Sequence, residues 1–133
     1  MSFKAKKLNI DLELDLTEYI PEAEGGILKT DKIDVKSIND WQDMAIDEGQ
    51  KLIEYEKEYY ETKVLDNGET IKILKDDVIL PLKEIRELSK KSVIKQIDYF
   101  YNKGEKFYKK IPVSVMNDIL KYINEQISPV KKK

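Results

Sequence analysis

The sequence predicts an α+β fold, mainly helical, with an N-terminal strand and a small β-hairpin ahead of a C-terminal bundle of short helices. Three patterns carry that prediction. Residues 6–16, KKLNIDLELDL, alternate apolar and polar side chains, the period of a half-buried strand. Residues 63–73, KVLDNGETIKI, set Val64, Leu65, Ile71 and Ile73 around Asp66, Asn67 and Gly68, a hairpin with a tight turn. From residue 81 onward apolar residues recur at helical spacing. The length, 133 residues, fits a single domain. It divides into a strand and extended arm to residue 36, an acidic helix over 37–62, the hairpin over 63–80, the bundle over 81–128 and a basic tail, 129–133.

Each element has a local reason. In the strand, Leu8, Ile10, Leu12, Leu14 and Leu16 share one face, and Asn9, Asp11, Glu13 and Asp15 the other. An acidic outer face also discourages edge-to-edge pairing. The following segment, TEYIPEAEGGILKTDKID, carries Pro21, Gly25 and Gly26 and reads as an irregular arm. It is too loosely patterned to fold alone, so it packs on this domain, on a second copy or on a partner. Ser37 is the expected N-cap of the acidic helix, with Asp40 in the capping-box position. Ile38, Trp41, Ala45, Leu52, Tyr55 and Tyr59 form its apolar stripe. Gly49 lies on that stripe at a cost of about 1 kcal/mol relative to alanine, which suggests a close contact or a break there. Pro81 opens the first bundle helix, Ser92 caps a second, Gly104 closes or kinks it, and Pro112 resets the chain for a last helix over 113–127.

Composition narrows function by subtraction. The chain has no histidine and no cysteine. It therefore lacks the usual general base near neutral pH, the thiol nucleophile, the soft metal ligands and any disulfide. Neither phosphate-cradling glycine loop occurs, and no serine sits in a nucleophile motif. Asp76 and Asp77, or the acids of the long helix, are the only candidates for a divalent cation, and DNGET at 66–70 lacks the ligand ladder of an EF-hand. Acids on one face of so charged a helix read as a solvated surface. The expectation is a non-enzymatic chain with no cofactor and no metal. No apolar run has the length of a membrane span and no signal-peptide core is present, so a cytoplasmic protein that does not enter a membrane is expected.

Charge and tyrosine carry the positive signals. Residues 1–80 hold 11 Lys/Arg against 20 Asp/Glu, and residues 81–133 hold 13 against 6, although the whole chain nets only −2. The stretch 90–110 interleaves lysines with Tyr99, Phe100, Tyr101, Phe107 and Tyr108. Lys103, Lys106, Lys109 and Lys110 are the candidates for phosphate contact, with aromatics to stack bases. The competing reading puts those aromatics in the bundle core and the lysines on its wet face. Arg86 is the only arginine, which weakens base-specific readout. Eight tyrosines favour a protein partner, with Trp41, Tyr55, Tyr59 and Tyr60 the candidate contacts.

Taken together, KKLNIDLELDL, the loop IPEAEGGILKT, the acidic helix with Trp41, and the C-terminal segment from LPLKEIREL to VMNDILKYI resemble the tail assembly chaperones of tailed bacteriophages. The resemblance covers most of the chain. It implies a mainly helical, catalytically inert oligomer that shields the tape measure protein while the tail tube assembles. Many such chaperones are extended by a C-terminal translational frameshift, which Lys131, Lys132 and Lys133 would suit if their codons form an A-rich slippery stretch. The partners it implies are the tape measure or tail tube protein and further copies of the chain.

Overall fold

The computed structural model describes residues 2–3 and 10–127. The fold is mixed α+β and 55% helical, as the patterning predicts. Strand β1 (Leu14–Asp15) pairs antiparallel with β2 (Ile27–Leu28). Helix α1 (Val35–Glu56) follows, then the hairpin of β3 (Tyr60–Val64) and β4 (Thr70–Leu74). Helix α2 (Leu82–Tyr101), a 3-10 segment (Glu105–Lys110) and helix α3 (Val113–Ile127) complete the chain. No helix among the described residues is long and apolar enough to cross a membrane.

The N-terminal alternation holds residue by residue: Leu12, Leu14 and Leu16 are buried while Asp11, Glu13 and Asp15 are exposed. Residues 4–9, including Leu8, lie outside the described part. Only two residues pair as a ladder, so the segment is held mainly by tyrosines from the helices. The Tyr101 hydroxyl donates to the Leu12 carbonyl at 2.6 Å, and that of Tyr122 to the Asp11 carbonyl at 2.8 Å. The arm then folds back on its own domain. Leu16 donates to the Gly26 carbonyl, and the amides of Tyr19 and Ile20 close a turn on Leu16. Ile20 and Leu28 are buried, so the arm supplies part of the core. Gly26 is required there: a Cβ would overlap the Ile20 carbonyl oxygen. Lys32 ties the end of the arm down, donating to the Tyr99 carbonyl at 2.8 Å with its ammonium 4.8 Å from the Tyr99 ring centroid.

Four local expectations are corrected. The N-cap of α1 is Asp34, whose carboxylate accepts from the Ser37 amide and, at 2.6 Å, from its hydroxyl; Ser37 sits inside the first turn. The helix ends at Glu56, not near 62, because Tyr59, Tyr60 and Thr62 favour the extended chain that becomes β3. Gly49 makes no close contact and no break; α1 runs through it with open space where a Cβ would be. Ser92 caps nothing. It is buried inside a continuous α2, its hydroxyl accepting from Gln96 Nε2, so the expected short helices before residue 104 are one helix of 20 residues.

The hairpin turn is a three-residue loop. Gly68 donates to the Leu65 carbonyl and takes the positive φ, 87°, while Leu65 pairs with Glu69. That is a type I turn closed by a left-handed glycine, and only glycine among the loop residues needs the left-handed region. At the end of α2, Asn102 takes the left-handed cap, and Asp98 gathers the turn that follows. Its carboxylate accepts from the amides of Lys103 (2.6 Å) and Gly104 (2.9 Å) and from the hydroxyl of buried Tyr108. Burial, together with Asp98, pushes the Tyr108 phenol far above its ordinary pKa.

One core forms where α1, α2, α3 and the arm meet, centred on Leu28, Trp41, Ile97, Tyr108 and Ile123. It is one-sided along the chain. Among the described residues, every buried one lies at or before Glu48, or at or after Ser92.

Candidate docking surfaces

The one-sided core leaves a distal end, built from the last turns of α1, the hairpin and the first turns of α2. Glu58 and Tyr59 close short turns on Tyr55 and Glu56, which carry α1 straight into β3. Lys75 donates back to the Tyr59 carbonyl and extends the ladder by one bond. Lys72 of β4 reaches Glu56 of α1 at 3.2 Å, and the Tyr55 hydroxyl donates to Glu84 of α2 at 2.9 Å. The rings of Tyr55 and Tyr59 lie 5.4 Å apart. Hydrogen bonding with Tyr59, then desolvation and the Glu84 carboxylate, push the Tyr55 phenol well above its ordinary value. These polar ties hold the end together in place of an apolar core.

Its apolar residues are left uncovered. Ile79 is 90% exposed, Leu82 70%, Val64 68% and Ile46 62%, with Ile53, Ile71, Leu74 and Leu88 each above a third. A small hollow of about 180 Å³ lies between Ile53, Tyr60, Thr62 and Lys72. Of the four residues expected to contact a protein, the structure brings Tyr55 and Tyr59 together at this end, while Tyr60 lines the separate hollow beside Ile53; all three are half-buried. Trp41 is not among them. It is 2% exposed, packs 5.6 Å from Phe100, and its indole N–H donates to the Gln96 carbonyl at 2.8 Å. A tryptophan on the apolar stripe of α1 is drawn into the core because it buries more area than any other side chain there.

Glu48, two turns after Trp41 on the buried face of α1 and not on its solvated acidic face, joins the core half to the distal end. It is 6% exposed and accepts on one oxygen from Lys95 of α2 at 2.9 Å and from Lys51 at 3.1 Å. Burial pulls its pKa up, but the two lysines outweigh burial and the carboxyl ends below its ordinary range. The cleft beside it measures about 310 Å³.

The basic stretch divides as its competing reading has it. Tyr99, Phe100, Tyr101 and Tyr108 pack in or against the core. Lys103, Lys106, Lys109 and Lys110 are exposed on the 3-10 segment and the turn before it. Phe107 is half-buried beneath Lys103, whose ammonium lies 5.8 Å from its ring, and Lys110 pairs with Glu24 at 3.7 Å. Asp76 and Asp77 are exposed on a turn, with Asp77 at φ 60°. Among the described residues no group of three or more acids is placed to hold a metal ion.

The chain matches no family model, no curated protein and no solved structure.

Proposed function

We propose that the chain is a non-enzymatic protein-binding module whose distal end docks an apolar, helical segment of a client. The observation that supports this reading is the concentration of uncovered Ile, Leu and Val side chains between residues 46 and 88, where no described residue from 49 to 91 is buried. A concentration of exposed apolar side chains of this kind is a mark of an interaction site. Tyr55, Tyr59 and Tyr60 add aromatic area, and Glu54 of α1 with Glu58 in the turn after it gives the rim a sign. The specific form of the proposal is a phage tail assembly chaperone, an oligomer that keeps a tape measure or tail tube protein soluble by reversible burial of that surface.

The test is coexpression of a long helical tape measure segment with the wild-type chain or with the Ile53→Asp/Ile71→Asp/Leu82→Asp variant. Soluble recovery of the segment with wild type, lost with a folded variant, supports the proposal. Equal recovery with both refutes it.

A second reading, a nucleic-acid-binding accessory, draws on the exposed cluster of Lys103, Lys106 and Lys109 beside Phe107. It predicts an affinity for single-stranded nucleic acid that falls steeply with salt and is lost on charge reversal at Lys103, Lys106, Lys109 and Lys110. Unchanged binding in that variant removes it.

A further inference from the structure

Away from the distal end, a groove of about 540 Å³ runs between β1 and α3. Its floor is apolar: Leu14 and Leu16 from the N-terminal strand face Val115, Ile119 and Tyr122 of α3, and Tyr19 stands at one end. Its rim is acidic: Glu13, Asp15 and Glu18 on one side and Asp118 on the other, with no lysine or arginine among the described lining residues. Hydrogen bonds from the Thr17 hydroxyl and amide hold the Asp15 carboxyl below its ordinary pKa.

Among the described residues no strand pairs with the groove-side edge of β1; the flanking Glu13 and Thr17 amides donate to the Asp11 and Asp15 carboxylates, which leaves Asp15 as the residue whose backbone groups face the groove without a partner. Leu14 pairs with Leu28, and the Leu16 amide donates to the Gly26 carbonyl at 2.7 Å, so both turn their polar groups toward β2. Antiparallel strands alternate, so Asp15 between them directs its N–H and C=O away from β2 and into the groove. Such an edge is a template for one more strand.

We propose that this groove binds an extended segment of a partner protein as an added strand on β1, and that the segment alternates lysine or arginine with apolar residues. The alternation follows from the geometry of a strand. Every second side chain would drop onto Val115, Ile119 and Tyr122, and the ones between would rise among four carboxylates. An acidic or an unpatterned segment loses the second set of contacts. The surface is separate from the distal end, so the proposal stands or falls independently of the distal docking reading.

The test is a titration of the isotope-labelled full chain with a capped hexapeptide alternating lysine and leucine, followed by amide chemical shifts. Two control peptides accompany it: one with glutamate replacing lysine, and one N-methylated on the residues that would face Asp15. The proposal expects saturable shifts over residues 13–19 and 115–122, the Asp15 amide moving most. It expects no binding of either control, and affinity at least about tenfold weaker in the Glu13→Gln/Glu18→Gln/Asp118→Asn variant, which removes three of the four rim carboxylates. Equal binding of the N-methylated peptide overturns strand addition, and equal binding of the glutamate peptide or of the neutralised variant overturns the charge argument. Shifts confined to other residues, or self-association of the chain through the groove in place of peptide binding, overturn the proposal as a whole.

Discussion

Replacing Asp98 with alanine removes the acceptor on which the turn from α2 to α3 closes. Three donors lose their partner: the amides of Lys103 and Gly104 and the Tyr108 hydroxyl. They do not cost the same. Lys103 and Gly104 are exposed, so water replaces the carboxylate and the two losses together come to about 1 kcal/mol. Tyr108 is 1% exposed, and its stranded hydroxyl adds about 2 kcal/mol. The expected total is about 3 kcal/mol, a large share of the roughly 5–15 kcal/mol available to a domain. Asp98→Asn keeps one oxygen acceptor and loses about half as much. The single tryptophan, Trp41, is buried beside Phe100 and reports unfolding by its fluorescence in a urea titration. A double-mutant cycle with Tyr108→Phe isolates the buried bond, with an expected coupling of about 1–2 kcal/mol. A loss below about 1 kcal/mol in Asp98→Ala, or no coupling in the cycle, refutes the reasoning.

Three further outcomes follow from the same structure. Gly49→Ala fills open space on the exposed side of a helix interior and stabilises the chain by about 0.8 kcal/mol by urea titration, whereas Gly26→Ala drives a methyl into the Ile20 carbonyl and destabilises it by more than about 2 kcal/mol. Glu48 has a folded pKa below its unfolded 4.5, so its stabilising contribution is present above that value and is lost as pH falls through the lower folded pKa. Glu48→Gln is therefore less stable than wild type at pH 7, and the difference shrinks in thermal melts taken below pH 4.5; a gap that stays constant with pH contradicts the ion-pair account. Trp41→Ala empties the centre of the core and costs about 3–5 kcal/mol, while Trp41→Phe costs less; a folded, fully stable Trp41→Ala would return this residue to the surface.

What was legible in the sequence was whatever repeats with a short period. The alternation of Leu12, Leu14 and Leu16 with acids named the buried face of the N-terminal segment, and the helical spacing of apolar residues from 81 onward, with Pro112 as the restart, named α3. Local signals that admit two answers were misread. Asp34 and Ser37 are both good cap residues three apart, and the chain uses the earlier one. Ser92 resembles a cap until its partner, Gln96, is seen one turn along the same helix. Non-local partners were invisible: Trp41, on the apolar stripe of α1, serves as well for a partner contact until the Gln96 carbonyl and Phe100 close over it. The candidate surfaces were least legible of all. Ile71, Ile79 and Leu82 look in the sequence like Ile97 and Ile123, and only packing decides which are covered.

The central claim is that the distal end is a protein-docking surface. The most direct measurement is the affinity of a purified, nuclease-treated client for the wild-type chain and for Ile53→Asp/Ile71→Asp/Leu82→Asp, by calorimetry, with urea titrations of both. These three side chains are 44%, 41% and 70% exposed, so the account predicts nearly equal stability but an affinity at least about a hundredfold weaker in the variant. Equal affinities, or an affinity lost instead on charge reversal at Lys103, Lys106 and Lys109, would contradict it.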